Sequence, residues 1–284
     1  MKMNKLLALL LALVMVLSLA ACGGTPAPAP SEGEESTGGE TPAEPEDKIL
    51  NIHLQAALES IDPALTSAGD DFEVIGTLVE GLFRADKDGN VIPGIAETYE
   101  ISEDGLTWTF HLREAYWSNG TQVTADDFVY AWQRCITIPA QYSSLLETAC
   151  IKNAAALLAM DPAEAAAQID TLGVKAQDDV TLVVEFDTPC PFFGTLMYFP
   201  VFYPVNRAFA EEKGDLFASS PENYLSNGPF VLTDYAPAAT AFSMVKNETY
   251  YDAANVQVEG LNYKVILDPQ QAYLAYQNGE LDYC

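Results

Sequence analysis

Residues 107–134 read TWTFHLREAYWSNGTQVTADDFVYAWQR, and the stretch holds a strand, a turn and a helix in that order. Trp108, Phe110 and Leu112 fall on one side of the first segment, with Thr107, Thr109, His111 and Arg113 on the other. This period of two predicts a half-buried strand. Ser118-Asn119-Gly120 predicts a turn. Thr124-Ala125-Asp126-Asp127 then resembles a capping box, with acids at the positive end of the helix it opens. That helix is expected to bury Phe128, Trp132 and Cys135 or Ile136. A strand passing directly into an amphipathic helix sets the expectation of an α/β chain.

Working outward, the same alternation of signals continues without an internal repeat. Ile49 to Leu54 predicts a short strand, ended by a turn at Ser60-Ile61-Asp62-Pro63. Phe72, Ile75, Leu78 and Val79 have helical spacing, predicting a helix over 71–82 with Gly81 near its end. Asp86 to Gly89 predicts a turn. Downstream, the alanine-rich residues 153–169 predict two short helices divided by Asp161-Pro162. Val180, Leu182, Val184 and Phe186 predict one face of a strand. Pro191 to Val205 is apolar but carries three prolines and a glycine, and predicts buried loop and strand. Strands are expected at 228–232 and 260–267. Asp268-Pro269 supplies a cap and a first-turn proline for a last helix, which Gly279 stops. Leu281-Asp282-Tyr283 opens a further strand and the sequence stops there, which sets the expectation of a truncated chain.

The chain has 284 residues, 49% of them hydrophobic, and a formal net charge of −28. A body this acidic is repelled by phosphate backbones, so nucleic acid is excluded as a partner. The acidity itself identifies no cationic ligand. Lys2 and Lys5 precede an uncharged run over 6–21, too short to span a bilayer comfortably, and this pattern predicts a signal peptide over 1–21. Leu19-Ala20-Ala21-Cys22-Gly23 resembles the bacterial lipobox, in which the cysteine thiol receives a diacylglyceryl group and becomes the first residue after cleavage. Residues 23–47 use only Gly, Pro, Glu, Asp, Ser, Thr and Ala. Such a segment offers no large apolar side chain against the entropy of ordering, so 22–47 reads as a lipidated cysteine on an acidic tether.

Chemistry-bearing motifs are sparse. The two histidines, His53 and His111, lie in predicted strands, and the sequence holds no GxSxG, P-loop, HExxH or GxGxxG motif. Asp126-Asp127 and Glu211-Glu212 read as exposed helix acids. Cys135, Cys150, Cys190 and Cys284 lack zinc-site spacing, leaving a Cys135–Cys150 disulfide or buried free thiols as alternatives. Asn247-Glu248-Thr249 is read as a chance match to a glycosylation acceptor. No catalytic residue, cofactor or metal is expected.

Four stretches carry a resemblance. They are EGLF with DGNVIPGIAETYEISEDGLTWTFHLREAYWSNGTQVTADDFVYAWQR within 78–134, LGVKAQDDVTLVVEFDTPCPFF at 172–193, SNGPFVLTDY at 226–235, and KNETYYDAANVQVEGLNYKVILD with AYQNGELD within 246–282. Together they resemble the oligopeptide-binding proteins of ABC importers, the extracytoplasmic solute-binding protein family 5. The resemblance implies a type II periplasmic-binding-protein-like α/β lobe with an inserted α+β domain. It assigns 48–80 and 206–284 to the first lobe, 81–205 to the insert, and the second lobe to sequence beyond Cys284. It implies a lipid-anchored receptor on the outer face of the cell membrane, periplasmic if the host has an outer membrane. Such a receptor captures oligopeptides for an ABC permease and its ATPase subunits. It places Ser67, Ala68, Gly69, Tyr142, Asn227 and Gly228 at the ligand, although relatives carry an acid where this chain has Ser67. Trp108, Trp117, Trp132 and Arg113 belong to the motifs but read as packing residues. Two other readings fit the same residues: the same fold binding a nickel chelate, haem, opine or oligosaccharide, or a naturally short surface lipoprotein or adhesin.

Overall fold

The computed structural model describes residues 48–138 and 140–284, which belong to one compact unit, Pro45–Cys284. The signal peptide, Cys22 and the tether read from the sequence lie outside the described residues. Strand β1 (Ile49–Leu54) leads through a loop to α1 (Gly69–Leu78). The ribbon β2 (Phe83–Ala85) and β3 (Val91–Pro93) follows, then β4 (Ala96–Ile101) and β5 (Thr107–Leu112). Next come α2 (Ala125–Thr137), α3 (Ser144–Thr148), α4 (Ala154–Leu158) and α5 (Pro162–Ala166). Strands β6 (Val174–Asp178) and β7 (Thr181–Glu185) precede α6 (Phe193–Leu196) and α7 (Arg207–Lys213). Finally β8 (Phe230–Asp234), β9 (Ala241–Lys246) and β10 (Gly260–Val265) lead to α8 (Pro269–Gln277).

Two four-stranded sheets organise these elements. The first has the order β1-β10-β9-β8. Strand β1 runs parallel to β10, Ile49 opposite Gly260 and Leu54 opposite Val265, whereas β10, β9 and β8 are antiparallel. The second sheet, β4-β5-β7-β6, is antiparallel throughout. Each has its own core. Ile52, Leu54, Val74, Ile75, Leu78, Leu232, Phe242, Met244 and Tyr263 pack around the first sheet. Trp108, Phe110, Trp117, Phe128, Trp132, Leu182, Val184, Phe193 and Phe202 pack around the second. Phe193 meets Trp108, Phe186, Trp132 and Phe202 edge to face, with centroids 4.9–6.3 Å apart, the geometry that aromatic quadrupoles favour.

The strand–turn–helix stretch folds as its pattern requires. Trp108, Phe110 and Leu112 are buried and His111 is exposed. The Thr124 capping box is formed, and α2 buries Phe128, Trp132, Cys135 and Ile136. Asp127 departs from the exposed acid expected of it and is buried. As the box's third residue it accepts the Thr124 amide, and its carboxylate also takes the Trp117 indole N–H at 3.0 Å and the Arg207 amide at 3.3 Å. Three donors offset the loss of water.

Other boundaries shift for identifiable reasons. Helix α1 spans Gly69–Leu78 rather than 71–82. Its end is set by the approach of the turn before β8, where the Gly228 amide donates to the Leu78 carbonyl at 2.9 Å. Within residues 191–205, Phe193, Met197, Pro200–Phe202, Pro204 and Val205 are buried, whereas Pro191, Phe192 and Thr195 are exposed; the segment forms α6 and a 3-10 turn at Pro200–Phe202 instead of a strand. Prolines cannot donate to a ladder. Val180 is exposed and precedes β7, while Leu182, Val184 and Phe186 are buried. Helix α8 begins as predicted: the Asp268 carboxylate accepts from the amides of Gln270 and Gln271. Beyond Gly279, at φ +76°, Tyr283 bridges Ile52 in parallel.

Candidate functional site

The loop between β1 and α1 lies at the carboxyl end of β1, the end at which parallel α/β sheets place their ligands. Ser67 and Ala68 are half-buried and Gly69 is exposed. Ala68 caps α1 and has no side chain to offer its first amides. Aspartates of the first turn instead face back into the loop. Asp70 accepts from the Gln55 and Ala56 amides at 3.0 Å, and Asp71, fully buried, from the Glu59 and Ser60 amides and the Thr66 hydroxyl. Asp62 forms a bidentate pair with Arg134 of α2 at 2.6 and 2.5 Å and accepts the Ala64 amide. The Ser67 hydroxyl donates to the Glu59 carboxylate.

Tyr142 belongs to the same neighbourhood. Its ring lies 5.2 Å from that of Phe72, in the first turn of α1, and 5.8 Å from Phe199. The first turn of α1 therefore gathers Ser67, Ala68, Gly69 and Tyr142 at one end of the helix.

Asn227 and Gly228 occupy the other end, about 15 Å away along a helix of this length. Both are buried. The Asn227 amide is engaged at both ends by one residue: its oxygen accepts the Glu80 amide at 3.0 Å and its nitrogen donates to the Glu80 carbonyl at 3.1 Å. Gly228 packs so close to Leu78 that a Cβ would stand 2.8 Å from the Leu78 carbonyl carbon. These two residues clasp the end of α1.

Glu80 completes that junction, and the sequence motifs gave no chemical reason to single it out. Its buried carboxylate accepts from the Tyr250 hydroxyl and, at 2.5 Å, from the Tyr251 hydroxyl. Arg84 bonds Tyr250 and Asp252, and Arg113 stacks on the Tyr251 ring at 4.3 Å. The NETYYD run thus fastens the connection between β9 and β10 to the segment leading into β2. Asn247 is buried too, donating to the Gly228 carbonyl and accepting from Thr249, so its side chain is enclosed rather than presented to a glycosyltransferase. His53 Nε2 meets the Ile266 carbonyl at 2.8 Å. The four described cysteines are free, and burial pushes the Cys135 thiol up to about 12. Among the described residues no group of three or more His, Cys, Asp or Glu side chains is placed to hold a metal ion.

Burial raises the pKa of Asp71, Glu80 and Asp127 above the usual carboxylate range. A raised folded-state pKa favours folding below the unfolded value, about 4, and that contribution is lost as pH rises through the folded one. Half-buried Asp86 and exposed Asp104 and Asp178 are lowered by hydrogen bonds and act oppositely, losing stability as pH falls through their folded values. The melting temperature is therefore expected to rise as pH falls from neutrality towards about 4 and to fall below that. Thermal melts across that range check this; a Tm climbing steadily from pH 5 to 8 contradicts it.

The model of the bacterial extracellular solute-binding proteins, family 5 Middle, matches residues 90–284. The chain belongs to that family. It is 32% identical to the oligopeptide-binding protein OppA of Bacillus subtilis over 274 residues, covering 96% of this chain and 48% of the relative. It is 31% identical to a dipeptide-binding protein of Lactococcus lactis over 244 residues, 84% of this chain and 43% of the relative. The Haemophilus influenzae OppA complex with RPPGFSPFR superposes with a TM-score of 0.77 at 33% identity, over 84% of this chain and 45% of that one. The chain spans about half the length of the curated relatives it matches.

Proposed function

We propose that this chain is part of the substrate-binding component of an ABC importer, which captures oligopeptides outside the cytoplasm, delivers them to the permease and ATPase subunits, and catalyses no reaction itself. The observation that carries this reading is the loop over 67–69. It lies at the carboxyl end of a parallel strand, ahead of a helix with no side-chain cap, in a fold shared with a peptide complex. Main-chain groups in such a loop bind a peptide's own main chain irrespective of its side chains. Ser67, Ala68 and Gly69 are the ligand residues in this reading, with Tyr142 beside them. Asn227 and Gly228 contribute from below by fixing the end of α1.

The separate cores support dividing the chain into lobe residues 48–80 and 206–284 with an insert over 81–205. The lipobox supports lipid anchorage through Cys22. Cys22→Ala is expected to release the protein into the medium, read by fractionation and blotting; retention at the membrane overturns the anchor.

Gly69→Ala tests the ligand loop. A Cβ there meets nothing within 4 Å, so stability is expected to stay within about 0.5 kcal/mol of wild type. Affinity for RPPGFSPFR is expected to fall at least tenfold by calorimetry, about 1.4 kcal/mol. Unchanged affinity removes the loop from the site. A dipeptide ligand is the second reading, favoured by the Lactococcus lactis relative; tight binding of dialanine without RPPGFSPFR selects it.

A further inference from the structure

We infer that Asp71 is the positioning residue of the loop over 67–69: it fixes those main-chain groups for a peptide without touching the peptide, an inference that rests on the peptide-binding reading above.

The loop over 55–68 has no regular secondary structure. Leu58, Ile61 and the Asp62 turn seat its middle in the core, and the first turn of α1 ties its two arms together. Asp71 reaches back across twelve residues with both carboxylate oxygens engaged. Oδ1 accepts the Glu59 amide at 3.0 Å. Oδ2 accepts the Ser60 amide at 3.2 Å and the Thr66 hydroxyl at 3.0 Å. Bonds to an ionised acceptor are the stronger kind, and the Asp71 carboxylate and its Thr66 bond are buried. The Thr66 bond is the decisive one, because it pins the residue immediately before Ser67.

The geometry forms a chain of constraint. Helix α1 is held by its buried face, Val74, Ile75 and Leu78, against the first sheet. Asp71 projects from that held helix, and Thr66, Ser60 and Glu59 hang on Asp71. The Ser67 hydroxyl then donates to the Glu59 carboxylate, whose own amide is on Asp71. Ser67 is thereby tied to Asp71 from both sides. Asp70 makes only two bonds, at the far end of the loop, to the Gln55 and Ala56 amides. A loop ordered before a peptide arrives spends less of the binding free energy on its own immobilisation.

The test uses the full chain and two readouts. Amide hydrogen exchange is followed across the molecule, and affinity for RPPGFSPFR and trialanine is measured by calorimetry. Asp71→Asn and Thr66→Val are expected to raise exchange at least tenfold over residues 59–68 while β5, β7 and β10 keep wild-type protection. Peptide affinity falls at least tenfold in both. Thr66→Ser retains the hydroxyl and restores both readouts to within threefold of wild type. Asp70→Asn loosens residues 55–56 and changes affinity less than threefold. Faster exchange spread evenly over the chain shows a general stabilising role and overturns the inference, as does Thr66→Val with a loosened loop but unchanged affinity. A wild-type substrate-binding component, this chain included, that binds neither peptide overturns the peptide-binding reading; localised exchange in Asp71→Asn then reduces Asp71 to a structural anchor.

Discussion

Replacing Asp62 with alanine is expected to lower the unfolding free energy by about 3–5 kcal/mol. The size follows from what is left behind. The Arg134 side chain is 17% exposed, and both its terminal nitrogens are spent on Asp62, whose own side chain is 4% exposed. Without the carboxylate, a guanidinium that never loses its proton stays in place beside the Phe217 ring 5.3 Å away, with no carboxylate bonded to it. The Ala64 amide loses its acceptor as well. Adding Arg134→Met to Asp62→Ala is expected to recover more than half of the loss, since breaking a buried pair costs more than replacing both partners. Urea unfolding of the two single variants and the double variant decides this. A double variant no more stable than Asp62→Ala shows that the loss comes from the loop turn and not from the stranded charge. The pair joins the loop that precedes α1 to helix α2 of the second core, so the same experiment measures how strongly the two sheets' surroundings are joined.

Gly228→Ala is expected to cost about 3 kcal/mol, a large value for one methyl group. The added carbon would meet the Leu78 carbonyl carbon at 2.8 Å and the Val79 nitrogen at 2.9 Å. These are backbone atoms at the end of a helix whose inner face is buried, so no flexible side chain is available to yield. Displacing residue 228 also strains the bonds between Asn227 and Glu80 and between the Gly228 amide and Leu78. The urea midpoint of the purified variant gives the measurement, with Gly69→Ala as the comparison in which the new carbon enters open space. A Gly228→Ala chain as stable as wild type shows that α1 can slide, and the clasp described above then fails.

Much of this fold is written in local pattern, and the reason is physical. Where one face of an element packs and the other meets water, the side-chain period is visible in the sequence. Strand β5, helix α2 and the capped start of α8 are of this kind. Strand β4 is not: after Ala96 every residue is exposed, so it leaves no alternation, and its place is given by pairing with β5. The three-residue strands β2 and β3 are too short to show a period. The 191–205 segment is apolar throughout, which announces burial without saying which backbone shape is buried.

The candidate site divides in the same way. The SNG turn is recognisable from its residue types, but Asn227 and Gly228 are enclosed by Leu78 and Glu80, some 150 positions earlier in the chain. A sequence shows that an asparagine and a glycine favour a turn; it does not show that another backbone lies against them. Asp127, Glu80 and Asp71 repeat the point. Each reads as one more surface acid in a strongly acidic chain, and each is buried because donors from other segments converge on it.

By itself, then, the sequence determined the α/β class, the capped helices, the half-buried strand at 107–112 and the family. Each rests on side-chain types within a few turns of one another. The tertiary structure alone decided where α1 stops, which aspartates are interior, and how the site residues divide between the two ends of α1. Those features depend on hydrogen-bond donors and backbone atoms brought together across long separations, and local sequence does not encode them.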